Sequence, residues 1–288
     1  MNRRDCLRSG IALLGGLALA PLSFAQPRHG AVPLQLRFTA SLTNPLSDEL
    51  RDQVVWLYMP VAETPTQKLD ALKISTEYEL LSDALGHSIV KLVFPRFAPL
   101  ASKVVNIAAE VTLHGEPAST PLRNPSDWLG AERYIETGDR RIQALAAELA
   151  CPTPSDTARA IYDWVRGHVE YAGYVADDMG ALDALAQRRG DCTEYAYLAV
   201  ALARANGIPA RMVGGYVTER SITPRADEYH NWAEVYVDGA WRLLDAQKGH
   251  WLTPAEQYVA FRHYREDLAN PLEGAHRFRV AGAVQLKF

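Results

Sequence analysis

The chain has 288 residues, 48% of them apolar and 22% charged, with a formal net charge of −4. That length is comfortable for two domains, and the composition argues against a disordered, collagen-like or coiled-coil chain. Without a long basic run, nucleic acid is not expected as a partner.

The first residues read as an export leader rather than as fold. Arg3, Arg4 and Arg8 make a basic start, residues 11–20 a short apolar core, and Ser23-Phe24-Ala25 a cleavage site before Gln26. Arg3-Arg4 ahead of Cys6-Leu7-Arg8 resembles a twin-arginine export signal; the alternative is an ordinary secretory leader with two adjacent arginines. The apolar core is too short for a membrane span, so residues 1–25 are read as removed. The expected destination is the periplasm or the exterior, with no stable membrane insertion. Cys151 and Cys192 then remain in an oxidising compartment, where a disulfide between them is the bland reading.

Residues 30–118 read as a β-rich domain. "PLQLRFTASL" puts Leu34, Leu36, Phe38 and Ala40 on one face. "QVVWLYMPV", "HSIVKLVF" and "SKVVNIAAEVTLHG" continue the strand pattern with turn residues between them. The expectation is a small β-sandwich, left through a Pro-rich linker.

Residues 128–265 change to helices and then strands, with 266–288 as a C-terminal extension. "DRRIQALAAELA" has helical spacing, and "SDTARAIYDWVRGHVEY" is a second helix with Ser155 as its expected N-cap. Cys151, between them, is expected to be a buried thiol. "GALDALAQRR" is a short helix. "CTEYAYLAVALARANG" is a longer one, with Tyr195, Leu198, Ala199, Leu202 and Ala203 as its apolar stripe and Asn206-Gly207 as its stop. "PARMVGGYVT", "NWAEVYV" and "WRLLDA" then alternate as strands. The expected class is α+β, with helices packed on an antiparallel sheet.

Two local features point to thiol chemistry. Gly190-Asp191-Cys192 sets a cysteine at a helix N-terminus, where the helix field favours thiolate. Asp238-Gly239, between two alternating runs, predicts a two-residue type I′ hairpin. In that register Trp232 faces Asp245, and His230 lies diagonally within hydrogen-bond reach of Asp245. A three-residue loop would put them on opposite faces. The spacing does not bring Cys192 to His230; only the fold can.

"GDCTEYAYLAVALARANGIPARMVGGYV" followed by "HNWAEVYVDGAWRLLDAQ" resembles the transglutaminase-like superfamily, whose core is papain-like. The resemblance covers about residues 130–250. It implies Cys192 as nucleophile, His230 as general base and acid, and Asp245 as the group that orients His230, with Trp232 supporting by shielding that pair. It also implies an enzyme acting on amide bonds of a peptide or protein; no cofactor is expected, and neither is zinc, because there is no Cys-x-x-Cys and no paired-His spacing. Hydrolysis is the first expectation. Acyl transfer to an amine, as in transglutaminases, is the alternative, and a binding or assembly protein with an inactive site is the competing class. No calcium-loop motif is present in the sequence. The Cys192 amide is one expected oxyanion donor; a second is open, with Gln187 nearby. His250, His263 and His276 receive no role. "SITPRADEY" reads either as a substrate-contact loop or as a plain connection.

Overall fold

The computed structural model describes residues 30–288, so the segment read as an export leader lies outside the described residues. Seven strands come first: β1 (Val32–Thr43), β2 (Leu50–Met59), β3 (Glu63–Thr64), β4 (Gln67–Ile74), β5 (Glu79–Ser82), β6 (Ser88–Phe97) and β7 (Ser102–Leu113). Helices and short strands follow: α1 (Arg140–Leu149), α2 (Pro154–His168), β8 (Glu170–Tyr171), α3 (Ala181–Gln187), β9 (Arg189–Gly190) and α4 (Cys192–Ala205). The chain then runs through β10 (Ala210–Val217), β11 (His230–Val237), β12 (Ala240–Asp245), β13 (His250–Trp251) and β14 (Tyr258–His263). It ends in β15 (Phe278–Ala281) and β16 (Gln285–Lys287).

The early strands form two antiparallel sheets with orders β16-β1-β7-β4-β3 and β15-β2-β6-β5. Leu34, Leu36, Phe38 and Ala40 are all buried between them, as the alternation of β1 predicts. The C-terminal residues are more than an extension: β15 pairs with β2, and β16 with β1, so the last strands return to the sheets built first.

The later strands form one antiparallel sheet, β13-β12-β11-β10-β14, and α4 packs across β10 and β11. The stripe expected on α4 understates its burial. Every residue from Thr193 to Arg204 is buried, because the sheet lies beneath the helix and α1, α2 and α3 cover its other sides. Buried Arg204 is answered by Glu132 Oε1 at 2.6 Å and by the carbonyls of Gly130 and Ala210. Asn206 caps the end of α4, and Gly207 follows at φ 72°, as expected of a helix stop.

Two local expectations are corrected. Thr153, not Ser155, caps α2: Pro154 occupies the first helical position, where its missing N–H costs nothing, so the cap falls two residues earlier than expected. Cys151 is an exposed free thiol, because it sits on the corner between α1 and α2 rather than on a helix face. Cys151 and Cys192, the cysteines among the described residues, are both free, so the reading of a disulfide between them fails.

The sandwich and the sheet beneath α4 share packing. Tyr216, Val259 and Phe261 belong to the same buried cluster as Leu36, Phe38 and Phe97. The Gln67 side chain donates to the Val61 and Ala260 carbonyls and accepts from the Ala260 amide, satisfying edge strand β14. Buried His87 accepts from the His263 amide through Nε2 and holds Asp83 through Nδ1 at 2.7 Å.

Candidate active site

The β11–β12 hairpin has the predicted register. Val237 faces Ala240 and Tyr236 faces Trp241. Asp238 and Gly239 adopt φ of 53° and 75°, the two left-handed residues of a type I′ turn. Counting back along the strands, this brings His230 Nε2 to 2.6 Å from Asp245 Oδ2. Trp232 is buried and stacks on the His230 ring, with centroids 6.2 Å apart.

Two adjacent glycines make room for this corner. A Cβ on Gly215, which pairs with His230, would overlap the Val259 carbonyl oxygen on the neighbouring strand and press on the Trp232 ring. A Cβ on Gly214 would overlap the Tyr229 hydroxyl.

Cys192 arrives from the other side, as the first residue of α4. It lines a cleft of about 900 Å³ together with His230, Tyr171, Gln247 and Lys248. A second pocket of about 460 Å³, lined by Tyr174, Asp178, Asn231 and Arg277, also opens onto Cys192. The segment holding "SITPRADEY" forms one wall of the cleft through Ser221, Ile222, Thr223 and Tyr229. It is pinned to the sandwich. The Arg37 amide donates to the Ile222 carbonyl, and the Ile222 amide to the Gln35 carbonyl.

The helix field is not the dominant influence on the Cys192 thiol. Burial pushes the Cys192 thiol up to about 11, and the Asp191 carboxylate beside it adds to the rise. The same motif that puts Cys192 at the helix start puts Asp191 at the N-cap. Its carboxylate accepts from the Thr193 amide at 2.7 Å and the Val175 amide at 3.0 Å. Glu194 completes a capping box by accepting from the Asp191 amide at 3.0 Å. The positive end of α4 is thus already answered by the Asp191 carboxylate, and little of it is left for sulfur; burial pushes Glu194 behind it up to about 7. A thiol near 11 is ionised in only about one molecule in 10⁴ at pH 7. Gly190 belongs to this device: a Cβ there would overlap Glu194 Cβ as that side chain folds back to Asp191.

A direct test is Asp191→Asn in a Cys151→Ser background. Asparagine keeps a cap acceptor for Thr193 and removes the charge. The Cys192 thiol is expected to drop by about one unit, so its alkylation at pH 8 speeds up by about tenfold. Loss of the Val175 bond costs about 1 kcal/mol of stability. An unchanged alkylation profile would count against the electrostatic role of Asp191.

Asp245 is the most heavily serviced side chain of the site. Besides His230, its Oδ2 accepts from the Tyr258 hydroxyl at 2.7 Å, and its Oδ1 from the Lys248 amide at 2.9 Å. Burial works to raise this carboxyl, but His230, Lys248 and Tyr258 outweigh it and hold it below the ordinary carboxylate range. An ionised Asp245 can only accept, so His230 donates through Nε2, and Nδ1 is the ring nitrogen left to exchange a proton with a neighbour.

Several site residues carry no legible signal in the sequence. Tyr258 and Lys248 reach Asp245 from outside the hairpin. Tyr171 joins the cleft because β8 pairs with β9 in parallel, Tyr171 beside Gly190. His250 lies 2.7 Å from the Tyr258 hydroxyl through Nδ1, and His276 lies on the rim of the second pocket, 3.0 Å from Asp178. Gln187 is exposed at the end of α3 and does not line the cleft.

Comparisons with known proteins converge on this region. Residues 143–246 match the family model of the transglutaminase-like superfamily. An uncharacterised protein of Mycobacterium leprae is 31% identical over 138 residues, 44% of this chain and 47% of that protein. The kyphoscoliosis peptidase of Mus musculus is 29% identical over 151 residues, 48% of this chain and 22% of that protein. The chain therefore spans less than half the length of these curated relatives. A solved structure from Cytophaga hutchinsonii, of a protein proposed to be a cysteine protease, superposes with a TM-score of 0.64 at 21% identity. It covers 90% of this chain and 89% of that chain, so the shared fold extends well beyond the helices and sheet around Cys192.

Proposed function

We propose that this chain, whose residues 143–246 form a transglutaminase-like core, is an exported thiol-dependent hydrolase of amide bonds in peptides or proteins. The observation that carries the reading is the pairing of buried His230 with Asp245 in a cleft that Cys192 also lines. In this reading Cys192 stays a thiol until substrate is bound. His230 then takes the thiol proton as sulfur attacks the carbonyl, and Asp245 balances the imidazolium that forms. His230 next returns the proton to the leaving amine, giving a thioester on Cys192. Water, deprotonated by His230, hydrolyses it. The Cys192 amide, first in its helix and without an intrahelical acceptor, is one donor to the oxyanion. Tyr171 is our candidate for the second, as the hydroxyl-bearing side chain that lines the cleft from the strand beside Gly190.

Hydrolysis and acyl transfer share every step up to the thioester, and the second nucleophile separates them. The test is to incubate the protein with an unfolded, carboxymethylated polypeptide, with and without a fluorescent primary alkylamine, and to identify products by mass spectrometry. New chain ends that vanish in Cys192→Ala support hydrolysis. Amine incorporated without cleavage would make the protein an acyltransferase instead. Products identical for wild type and Cys192→Ala would leave the fold as a binding scaffold and sink the enzyme reading.

A further inference from the structure

Asp245 Oδ2 is shared by two donors. His230 Nε2 lies 2.6 Å away on one side and the Tyr258 hydroxyl 2.7 Å away on the other. The Tyr258 oxygen lies in turn 2.7 Å from His250 Nδ1. Hydrogen counting orients the whole chain of contacts. A carboxylate carries no proton, so the single proton of Tyr258 points at Asp245. The Tyr258 oxygen can then only accept from His250, which fixes His250 with its proton on Nδ1. The sequence is therefore His250 to Tyr258 to Asp245, met from the far side by His230.

The elements that present these groups are rigid. Tyr258 opens β14, is buried, and packs edge-on against Trp232 with ring centroids 5.0 Å apart. Trp232 stacks on His230, so one aromatic wall holds both donors to Asp245. His250 pairs with Asp245 across the β12–β13 ladder.

We propose that Tyr258, backed by His250, is a positioning residue that sets the proton affinity of His230 through Asp245. The inference rests on the reading of His230 as the proton acceptor for Cys192. The hydroxyl of Tyr258 competes with His230 for one oxygen and draws charge from it. With that hydroxyl in place, Asp245 stabilises the imidazolium less than it would with His230 as the sole donor to that oxygen. Without it, Asp245 holds His230 protonated to higher pH, and a protonated imidazole cannot take the thiol proton. His250 acts in the same direction with less force, since its N–H sharpens the Tyr258 hydroxyl as a donor.

Other groups act on this chain. Cys192 approaches from the start of α4, Lys248 from the turn after β12, and Tyr162 and Arg166 from α2. Burial lowers His250, with Lys248, His230 and Arg166 adding to the effect against Asp245, so its ring is held neutral.

The test reads His230 directly. Imidazole NMR titrations are recorded for the wild type, Tyr258→Phe and His250→Gln, with the His230 resonance assigned by its loss in His230→Gln. Tyr258→Phe keeps the ring that packs on Trp232 and removes only the hydroxyl. The His230 midpoint is expected to rise by about half a unit to one unit in Tyr258→Phe, and by less in His250→Gln. The acid limb of Cys192 acylation by p-nitrophenyl acetate is expected to move by the same amounts. An unchanged His230 midpoint in folded Tyr258→Phe overturns the proposal, and so does a fall. If Tyr258→Phe does not fold, the His250→Gln titration decides alone. Failure of the enzyme reading looks different: His230→Ala would then leave acylation of Cys192 unaltered, while the NMR midpoints still report on Tyr258.

Discussion

Acylation of Cys192 by p-nitrophenyl acetate at pH 7 slows by about 10²- to 10⁴-fold when His230 is replaced by alanine, the range that a positioned acid–base group contributes. The pH dependence should carry the signature. Burial and the Asp191 carboxylate push the thiol up to about 11. Without His230 the only route left is the scarce thiolate, so the rate climbs about tenfold per pH unit until the pH nears 11. The wild type has a second route, in which the imidazole takes the proton during attack, so its rate depends less steeply on pH. The ratio of the two rates therefore shrinks as pH rises. The measurement is the burst of p-nitrophenolate from pH 5 to 11, with Cys151→Ser throughout, since Cys151 is exposed and would react. Cys192→Ala should give no burst. Parallel profiles for wild type and His230→Ala would mean that the two side chains do not exchange a proton.

The largest effect on stability is expected at Gly215. A Cβ there would overlap the Val259 carbonyl oxygen and press on Trp232. The obstacle is backbone, so relief requires β10 to move away from β14. That strand is no ordinary edge. Val259 and Phe261 are buried with Leu36 and Phe38 of the sandwich, and Tyr258 holds Asp245. Gly215→Ala should cost about 3 kcal/mol, the upper end for inserting a methyl into a packed interior. It should lower the urea midpoint with little change in slope. Gly167 is the contrast. It is the penultimate residue of α2, and a Cβ there meets nothing within 4 Å. Gly167→Ala should raise stability by about 0.5–1 kcal/mol through backbone entropy alone. Equal and small effects at both positions would refute the steric account of Gly215.

Some of this molecule is settled within a few residues of chain. The alternation in β1, the stop at Asn206-Gly207 and the turn at Asp238-Gly239 each depend on local backbone preference. The His230–Asp245 pair follows from that turn, because a two-residue hairpin sets the parity of every residue behind it. The same locality explains the misreadings. Ser155 looked like a cap because Ser, Thr and Asp crowd that stretch, and the choice fell to Thr153 through the geometry of Pro154. Cys151 looked buried from its apolar neighbours, but a corner residue faces outward whatever precedes it.

Tertiary packing decided the rest. The meeting of Cys192 and His230 at one cleft needs α4 laid across β10 and β11, and no spacing in the chain states that. The arrival of Tyr258 and His250 at Asp245, and of Tyr171 beside Gly190, joins segments whose patterns carry no mark of each other. The state of the thiol depends on both levels. The helix start at Cys192 is written locally, and so is the acidic cap that answers its field. The burial that raises the thiol to about 11 is a property of the packed cleft. Local sequence determines which way a side chain points, because backbone angles are local. The proton affinity of that side chain depends on how much water and charge surround it, and only the folded molecule determines that.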